Sequence, residues 1–142
     1  FVLFFFFKVD REQSKGGDET GLNGILLSCV NTTTFEVVKQ ITSSVGPWGT
    51  WTPIQWCPGG FLSTFCLCVE PKQGNEDDTA ADNIIFGCTV PHIVMGNGLE
   101  RGLYGAWSDT CTEGINGINI RLEKPKGIGD DTSVNDVLFN CA

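Results

Sequence analysis

Basic residues and histidine are scarce in this sequence. Its 142 residues include nine Lys and Arg, one His and 17 Asp and Glu, which gives a net charge of −8. The few basic residues do not form a cluster, so we expect neither nucleic acid nor an anionic membrane surface as a partner. This acidic balance suits a cationic partner better.

Long apolar runs are also absent. The longest, residues 1–7, has seven residues, whereas a membrane-spanning helix needs roughly 20. Hydrophobic residues make up 41% of the chain and charged residues 18%, which predicts one domain with a proper core and argues against disorder. The chain starts without an initiating Met or a basic leader segment. We therefore expect it to be a piece of a longer secreted protein.

Metal-type cysteine spacing is missing as well. There is no C-x-x-C motif, and His92 is the single imidazole, so the sequence predicts no metal site and no cofactor. Seven cysteines in 142 residues are typical of an oxidising compartment. Asn31-Thr32-Thr33 is a glycosylation sequon, and we predict an N-glycan on Asn31 of a secreted, extracellular protein.

The sequence contains an internal repeat. Residues 18–29, 77–88 and 130–141 align without gaps. Each segment holds two acidic residues, a Thr, three spacer positions that end in Asn or Asp, an apolar stretch, and a Cys nine residues after the Thr. The matching positions are Thr20, Thr79 and Thr132; Asn23, Asp82 and Asn135; and Cys29, Cys88 and Cys141.

The repeat extends upstream of these segments. Residues 65–70 match 118–123, and residues 5–10 take the same place in the first unit. Residues 46–51 with Cys57 match 102–107 with Cys111, an alignment that sets Tyr104 at the position of Trp48. The units are 1–45, 46–101 and 102–142. Because the first lacks the opening segment, we expect roughly 20 further residues before it.

Each unit has the pattern of β-structure. Residues 65–69 and 118–122 alternate, so that Phe65, Leu67 and Val69 share one face, as in a half-buried strand. No stretch shows a sustained helical period. One four-stranded sheet cannot bury its own apolar face, but three can do so around a common axis. The pattern therefore predicts an all-β, pseudo-threefold prism or trefoil.

The cysteine positions suggest how the units are closed. Cys57 and Cys88 are 31 residues apart, Cys111 and Cys141 are 30 apart, and we predict a disulfide within each pair. Cys29 would then have a partner before Phe1. Cys66 and Cys68 lie on the strand face opposite Phe65, so we expect outward-pointing thiols or links to another chain.

The repeated D-D-T-x-x-N…C segment, the G-P-W-G-x-W…C-P opening and the link in which a Glu is followed by Pro and Gly (V-E-P-x-x-G at 69–74, L-E-x-P-x-G at 122–127) resemble the vitelline membrane outer layer protein family. The resemblance implies a secreted β-prism of three four-stranded Greek-key sheets. It also implies a structural component of an extracellular coat such as the egg's outer vitelline membrane, and a weak transferase activity on chitooligosaccharides. The partners expected are coat or mucin-like proteins, cationic proteins, and glycans.

Two residue classes are candidates for ligand binding, and each also has a structural interpretation. The acidic pairs suit turns that precede a strand, because Asp, Thr and Asn side chains bond nearby backbone groups there. The aromatic residues suit the ends of a prism core more than sugar stacking. The ligand-binding candidates are Asp77, Asp78, Asp130, Asp131, Trp48 and Tyr104.

The sequence offers no catalytic residues that we would name. His92 follows Pro91 in a loop between units and no nucleophile elbow lies near it, so we expect a solvated histidine. A non-catalytic structural or binding protein is predicted. A lectin-like protein and a weak chitooligosaccharide transferase are the alternatives.

If the acidic pairs serve turns, replacing Asp78 or Asp131 with Ala should lower stability by roughly 0.5–2 kcal/mol, by analogy with lost helix caps. Binding activity per folded molecule should stay unchanged. Thermal midpoints and activity measured for matching variants in units two and three test this. One acid whose loss abolishes turnover without a change in melting would contradict it.

Overall fold

The computed structural model of the chain describes residues 1–10, 21–42, 44–70, 81–100, 102–122 and 134–142. These residues form β-strands and no helix, and accordingly they contain no helix able to span a membrane. The all-β prediction is confirmed. The strands are β1 (Val2–Val9), β2 (Leu22–Val30), β3 (Val37–Thr42), β4 (Thr50–Trp51), β5 (Gln55–Trp56), β6 (Leu62–Val69), β7 (Ala81–Cys88), β8 (Ile93–Met95), β9 (Leu103–Tyr104), β10 (Ile115–Leu122) and β11 (Val134–Cys141).

Antiparallel pairing assembles the strands into three sheets. Sheet 1 has the order β3-β2-β1-β4, with β5 also paired to β1, and sheet 2 has the order β8-β7-β6-β9. Both are Greek keys, in which the fourth strand returns beside the first. Sheet 3 consists, in the described part of the chain, of the pair β10-β11. The Greek-key expectation thus holds for two sheets, and the central hairpin is common to all three.

The sheets do not coincide with the sequence units. Strands β4 and β5 come from the start of the second unit but pair with β1, and β9 comes from the start of the third but pairs with β6. Each of these sheets therefore takes its fourth strand position from the next unit. Pro53 lies between β4 and β5. Since proline has no N–H to donate, the ladder is interrupted there.

The core lies where the inner faces of the three sheets meet. Phe5 of sheet 1 contacts Phe86 of sheet 2 with ring centroids 4.7 Å apart, and Phe86 contacts Phe139 of sheet 3 at 5.5 Å. Phe5 and Phe86 are fully buried. Tilted and edge-on aromatic pairs of this kind contribute about 0.5–1.5 kcal/mol each beyond the burial of their area.

The alternation predicted for the central strands is present. The inner face of the central strands packs against the core through the partly buried Phe65, Leu67 and Ile118, and Ile120 is buried within the core. The apolar stretches that follow the acidic segments also lie in the core, through Ile25 and residues of β7 and β11. A period of two therefore sets which face of each central strand points to the axis.

Two disulfides close the second and third units. Cys57 is joined to Cys88 and Cys111 to Cys141, the pairs expected from the aligned spacing. Cys29 holds the matching position of β2, is partly buried against the core, and is not in a disulfide. Its expected partner before Phe1 stays a prediction.

The opening segments align differently from the sequence-based expectation. Trp51 lies opposite Lys8, and Tyr104 lies opposite Cys68, the residue of β6 that corresponds to Lys8. Tyr104 therefore occupies the position of Trp51, and its assignment to the position of Trp48 was wrong. The physical anchor is a glycine: a Cβ at Gly49 would collide with the carbonyl of Val9, and one at Gly102 with that of Val69.

Removal of either disulfide should destabilise the fold by similar amounts. The closed loops have 31 and 30 residues, so each bridge should contribute roughly 3–4 kcal/mol through the unfolded state. Denaturant unfolding of the double variants Cys57→Ala/Cys88→Ala and Cys111→Ala/Cys141→Ala measures this. An unfolding midpoint equal to that of the parent chain would contradict it.

Candidate binding surface

The acidic pairs lie outside the described residues. This applies to Asp77, Asp78, Asp130 and Asp131, and to the threonines that follow them. Their proposed role in turns therefore stays a prediction. The strands that follow are described from Gly21 in the first unit and Ala81 in the second.

Asn23 and Asp82 hold equivalent places, as the repeat predicts. Each is the second residue of its strand and is buried. The carbonyl of Asn23 accepts a hydrogen bond from the N–H of Gly46, and that of Asp82 accepts one from Leu99. The Nδ2 of Asn23 donates to the carbonyl of Gly21 at 3.3 Å. The backbone bond expected to its side-chain oxygen stays a prediction. An amide can donate where a carboxylate cannot.

The tryptophans lie on the surface, contrary to the preference for a core position. Trp48, Trp51, Trp56 and Trp107 are 47%, 40%, 51% and 46% exposed. The reason is that phenylalanine and aliphatic side chains of the central strands already fill the axis. The segments that carry the tryptophans run along the outer edges of the sheets. A large ring there can cover only the outer face of the sheet.

In sheet 1, the indole of Trp51 covers a glycine. A Cβ at Gly24 would lie 3.2 Å from Cη2 of Trp51, a distance that requires one of the two to shift. The same ring meets Phe6 edge-on, with centroids 5.5 Å apart. Lys8 lies beside it, and its Nζ donates to the carbonyl of Gly46 at 2.9 Å. The aromatic rings of Trp51 and Phe6, with Lys8 beside them, thus cover the outer face of sheet 1 around Gly24.

In sheet 2, the equivalent pair is polar. Asn83 stands where sheet 1 has Gly24, and Tyr104 stands where it has Trp51. Nδ2 of Asn83 donates to the phenol oxygen of Tyr104 at 3.1 Å, and Oδ1 accepts from the N–H of Gly98 at 3.0 Å. Tyr104 is therefore half-buried in a hydrogen-bond network. Trp48, the other aromatic residue that the sequence named as a ligand candidate, lies on a different segment.

Cys66 and Cys68 are on the outer face of sheet 2, as predicted, but they are not outward thiols open to another chain. They are 5% and 0% exposed. Residues 102–108 lie over them: Cys68 pairs with Tyr104, and Sγ of Cys66 donates to the carbonyl of Gly105 at 2.8 Å. Burial raises the pKa of both thiols, which disfavours the nucleophilic thiolate.

A surface hollow of about 500 Å³ opens on the outer face of sheet 2. We name it the Trp107 hollow. Its lining includes Thr64, Gly87, Pro91, His92, Ile93 and Trp107. Sequence reasoning missed this site. One available signal was Gly87, because the aligned positions in the other units are Ser28 and Asn140.

The remaining residues that the sequence singled out lie in exposed loops. His92 is exposed, as expected for a solvated loop histidine. Asn31 is exposed in the loop between β2 and β3, where Oδ1 accepts hydrogen bonds from the N–H groups of Thr33 at 2.8 Å and Thr34 at 3.2 Å. Neither bond uses Nδ2, the atom that would carry a glycan. Within the described ranges, no three His, Cys, Asp or Glu side chains are grouped to hold a metal.

Alkaline pH should lower the free energy of unfolding as Tyr104 and the buried thiols ionise. Burial raises the pKa of Tyr104 above 10.0 and those of Cys66 and Cys68 above 9.0. A raised pKa means that the unfolded chain loses its proton first. The stability that the protonated groups contribute is therefore complete below pH 9 and declines as pH rises further. Tyr104 is the single tyrosine, so phenolate absorbance against pH reads its pKa directly. A native titration at or below 10.0 would contradict the expectation.

Comparison with known proteins places the chain in a family. Residues 1–142 match the family model described as vitelline membrane outer layer protein I. The chain is 40% identical over 144 residues to the vitelline membrane outer layer protein 1 homolog of Mus musculus, covering 100% of this chain and 72% of that protein. It is 39% identical over 142 residues to the homolog of Homo sapiens, covering 99% and 70%. The chain therefore belongs to the vitelline membrane outer layer protein I family.

Proposed function

We propose that this protein is a secreted structural or binding component of an extracellular coat or secretion, and that it acts without catalysis. The observation that carries the proposal is the match to the family over the entire chain, together with relatives named for the outer layer of the vitelline membrane. The partners we propose are coat or mucin-like proteins, cationic proteins and glycans.

The disulfides support an extracellular site of action. Cys57–Cys88 and Cys111–Cys141 each staple the end of a central strand to the segment that opens its unit. Such bonds persist in oxidising compartments and are rare in reducing ones. A fold closed in this way suits a protein that must last in a secretion.

The described titratable groups favour a role without catalysis. Cys66 and Cys68 have raised pKa values and lie beneath residues 102–108, so neither is suited to act as a nucleophile. His92 is exposed in a loop. A glycosyl transfer would instead need two carboxyl groups that face each other across the sugar.

Binding has its own support in the exposed aromatic residues. Trp48, Trp51, Trp56 and Trp107 are each at least 40% exposed, although large aromatic side chains are usually among the most buried of a domain. Aromatic rings on a surface are a common feature of recognition sites. A lectin-like activity is therefore the second candidate function.

The state of Asn31 tests passage through the secretory pathway. Protein purified from its natural source should carry an N-glycan there, because the side chain is exposed and Nδ2 takes no part in the turn. Mass spectrometry before and after glycosidase treatment, with Asn31→Gln expressed in secretory cells as the control, measures occupancy. An unmodified Asn31 in all natural material would contradict the predicted N-glycan.

The absence of catalysis is tested separately by incubating the folded protein with chitooligosaccharides. We expect no change in chain length by chromatography. Formation of longer oligosaccharides in proportion to protein concentration would replace the non-catalytic proposal with the transferase alternative.

A further inference from the structure

The loop between β2 and β3 holds an aromatic residue in a strained backbone conformation. Phe35 has a φ of 60°, in the left-handed region where a Cβ lies too close to the following carbonyl oxygen. Among the described residues it is the only non-glycine residue with a positive φ. Glycine adopts this conformation without that cost and is the usual residue in such a place. A strained side chain of this kind persists where it has a use.

The ring of Phe35 does not gain its stability from the core. Its side chain is 58% exposed. It belongs neither to the core of the described residues nor to the hydrophobic side chains that pack against that core. Burial of apolar area, which usually stabilises a phenylalanine, therefore contributes little here. A cover for the ring has to come from outside the described fold.

The glycosylation sequon begins on the other side of the same turn. The N–H of Phe35 donates to the carbonyl of Asn31 at 2.8 Å, and the N–H of Asn31 donates to the carbonyl of Glu36 at 2.9 Å. These two bonds bring Asn31 beside Phe35 across the loop. A sugar attached to Asn31 would therefore start next to the exposed ring.

The turn also orients the amide that would carry the sugar. Oδ1 of Asn31 accepts from the N–H groups of Thr33 at 2.8 Å and Thr34 at 3.2 Å. Because the amide oxygen is held in this way, Nδ2 of Asn31 points away from these two N–H groups. The direction in which a sugar leaves the turn is thus fixed in advance, which lowers the entropy lost when the sugar packs on a neighbour.

The corresponding loop of sheet 2 lacks both features. Residues 88–92 contain no Asn and no Phe, and none of them has a positive φ. That loop is closed by the N–H of Cys88, which donates to the carbonyl of His92 at 3.0 Å. The strained aromatic residue and the sequon thus occur together in one loop and are both absent from its counterpart.

We propose that the first N-acetylglucosamine of a glycan on Asn31 packs its face of C–H groups against the ring of Phe35. These C–H groups meet the negative face of the aromatic π-system. The contact buries apolar area that the polypeptide leaves exposed, and so it offsets the strain at Phe35. The inference deepens the proposed function and rests on it, because N-glycans are added in the secretory pathway.

Glycosylated and unglycosylated chains, each with and without the ring, test the inference. The full chain would be made in secretory cells and trimmed with an endoglycosidase that leaves one N-acetylglucosamine. Thr33→Ala supplies the unglycosylated form, since it destroys the sequon but keeps the backbone N–H that bonds Oδ1 of Asn31. Phe35→Gly removes the ring and relieves the strain, so we expect it to fold. Any effect of Thr33→Ala itself cancels when the two backgrounds are compared.

The single sugar should raise the thermal midpoint of the parent chain by about 2–4 °C, the size of shift that one added contact gives in a domain of this length. In the Phe35→Gly background most of that rise should disappear. Val38→Ala is the matched control because Val38 is 64% exposed on the adjacent strand, and it should keep the full rise. In NMR spectra, sugar C–H protons should lie upfield in the parent chain and lose that displacement in Phe35→Gly.

Three results would overturn the inference. They are an equal rise in midpoint with and without the ring, sugar protons with the same shifts in both backgrounds, and a parent chain that secretory cells leave unmodified at Asn31. The first two results leave unchanged the occupancy of Asn31 in natural material and the turnover assay, which test the proposed function. Failure of the ring contact is therefore distinguishable from failure of the proposed function.

Discussion

Burial of three inner sheet faces against one another is the interaction on which this structure depends. No sheet could bury its apolar face alone, and the contacts from Phe5 to Phe86 and from Phe86 to Phe139 join all three. Because each sheet supplies one side of the same core, the loss of one would expose the other two. The pseudo-threefold repeat in the sequence is the consequence of this shared burial.

The outer faces are free to differ because the axis requires only the inner ones. At one position, sheet 1 has Gly24 beneath Trp51, while sheet 2 has Asn83 bonded to Tyr104. Each pair covers its sheet by a different kind of contact. At another position, Gly87 replaces the larger residues of the other sheets and leaves the Trp107 hollow open. The outer surface therefore varies on a constant core.

Alternation, repeat alignment and cysteine spacing were enough to predict the central strands, the shared core and the two disulfides. These features repeat in sequence and depend on periods of two and on equal separations, so local pattern carries them. The alignment failed at the opening segments, where Tyr104 corresponds to Trp51 and not to Trp48. There the register is set by close contact of Gly49 and Gly102 with neighbouring carbonyls, and the chain between glycine and cysteine differs in length, since Cys57 is eight residues after Gly49 and Cys111 nine after Gly102.

The sequence by itself determined which residues form the central strands and which of their faces is apolar, because side-chain direction in a strand alternates with position. Only the tertiary structure decided the exposure of Cys66, Cys68 and the tryptophans. The two thiols point outward, yet residues 102–108 cover them. The tryptophans are hydrophobic, yet they lie on the surface because other side chains already fill the core around the axis. Exposure depends on which distant segment lies over a residue, and a strand's own pattern does not contain that information.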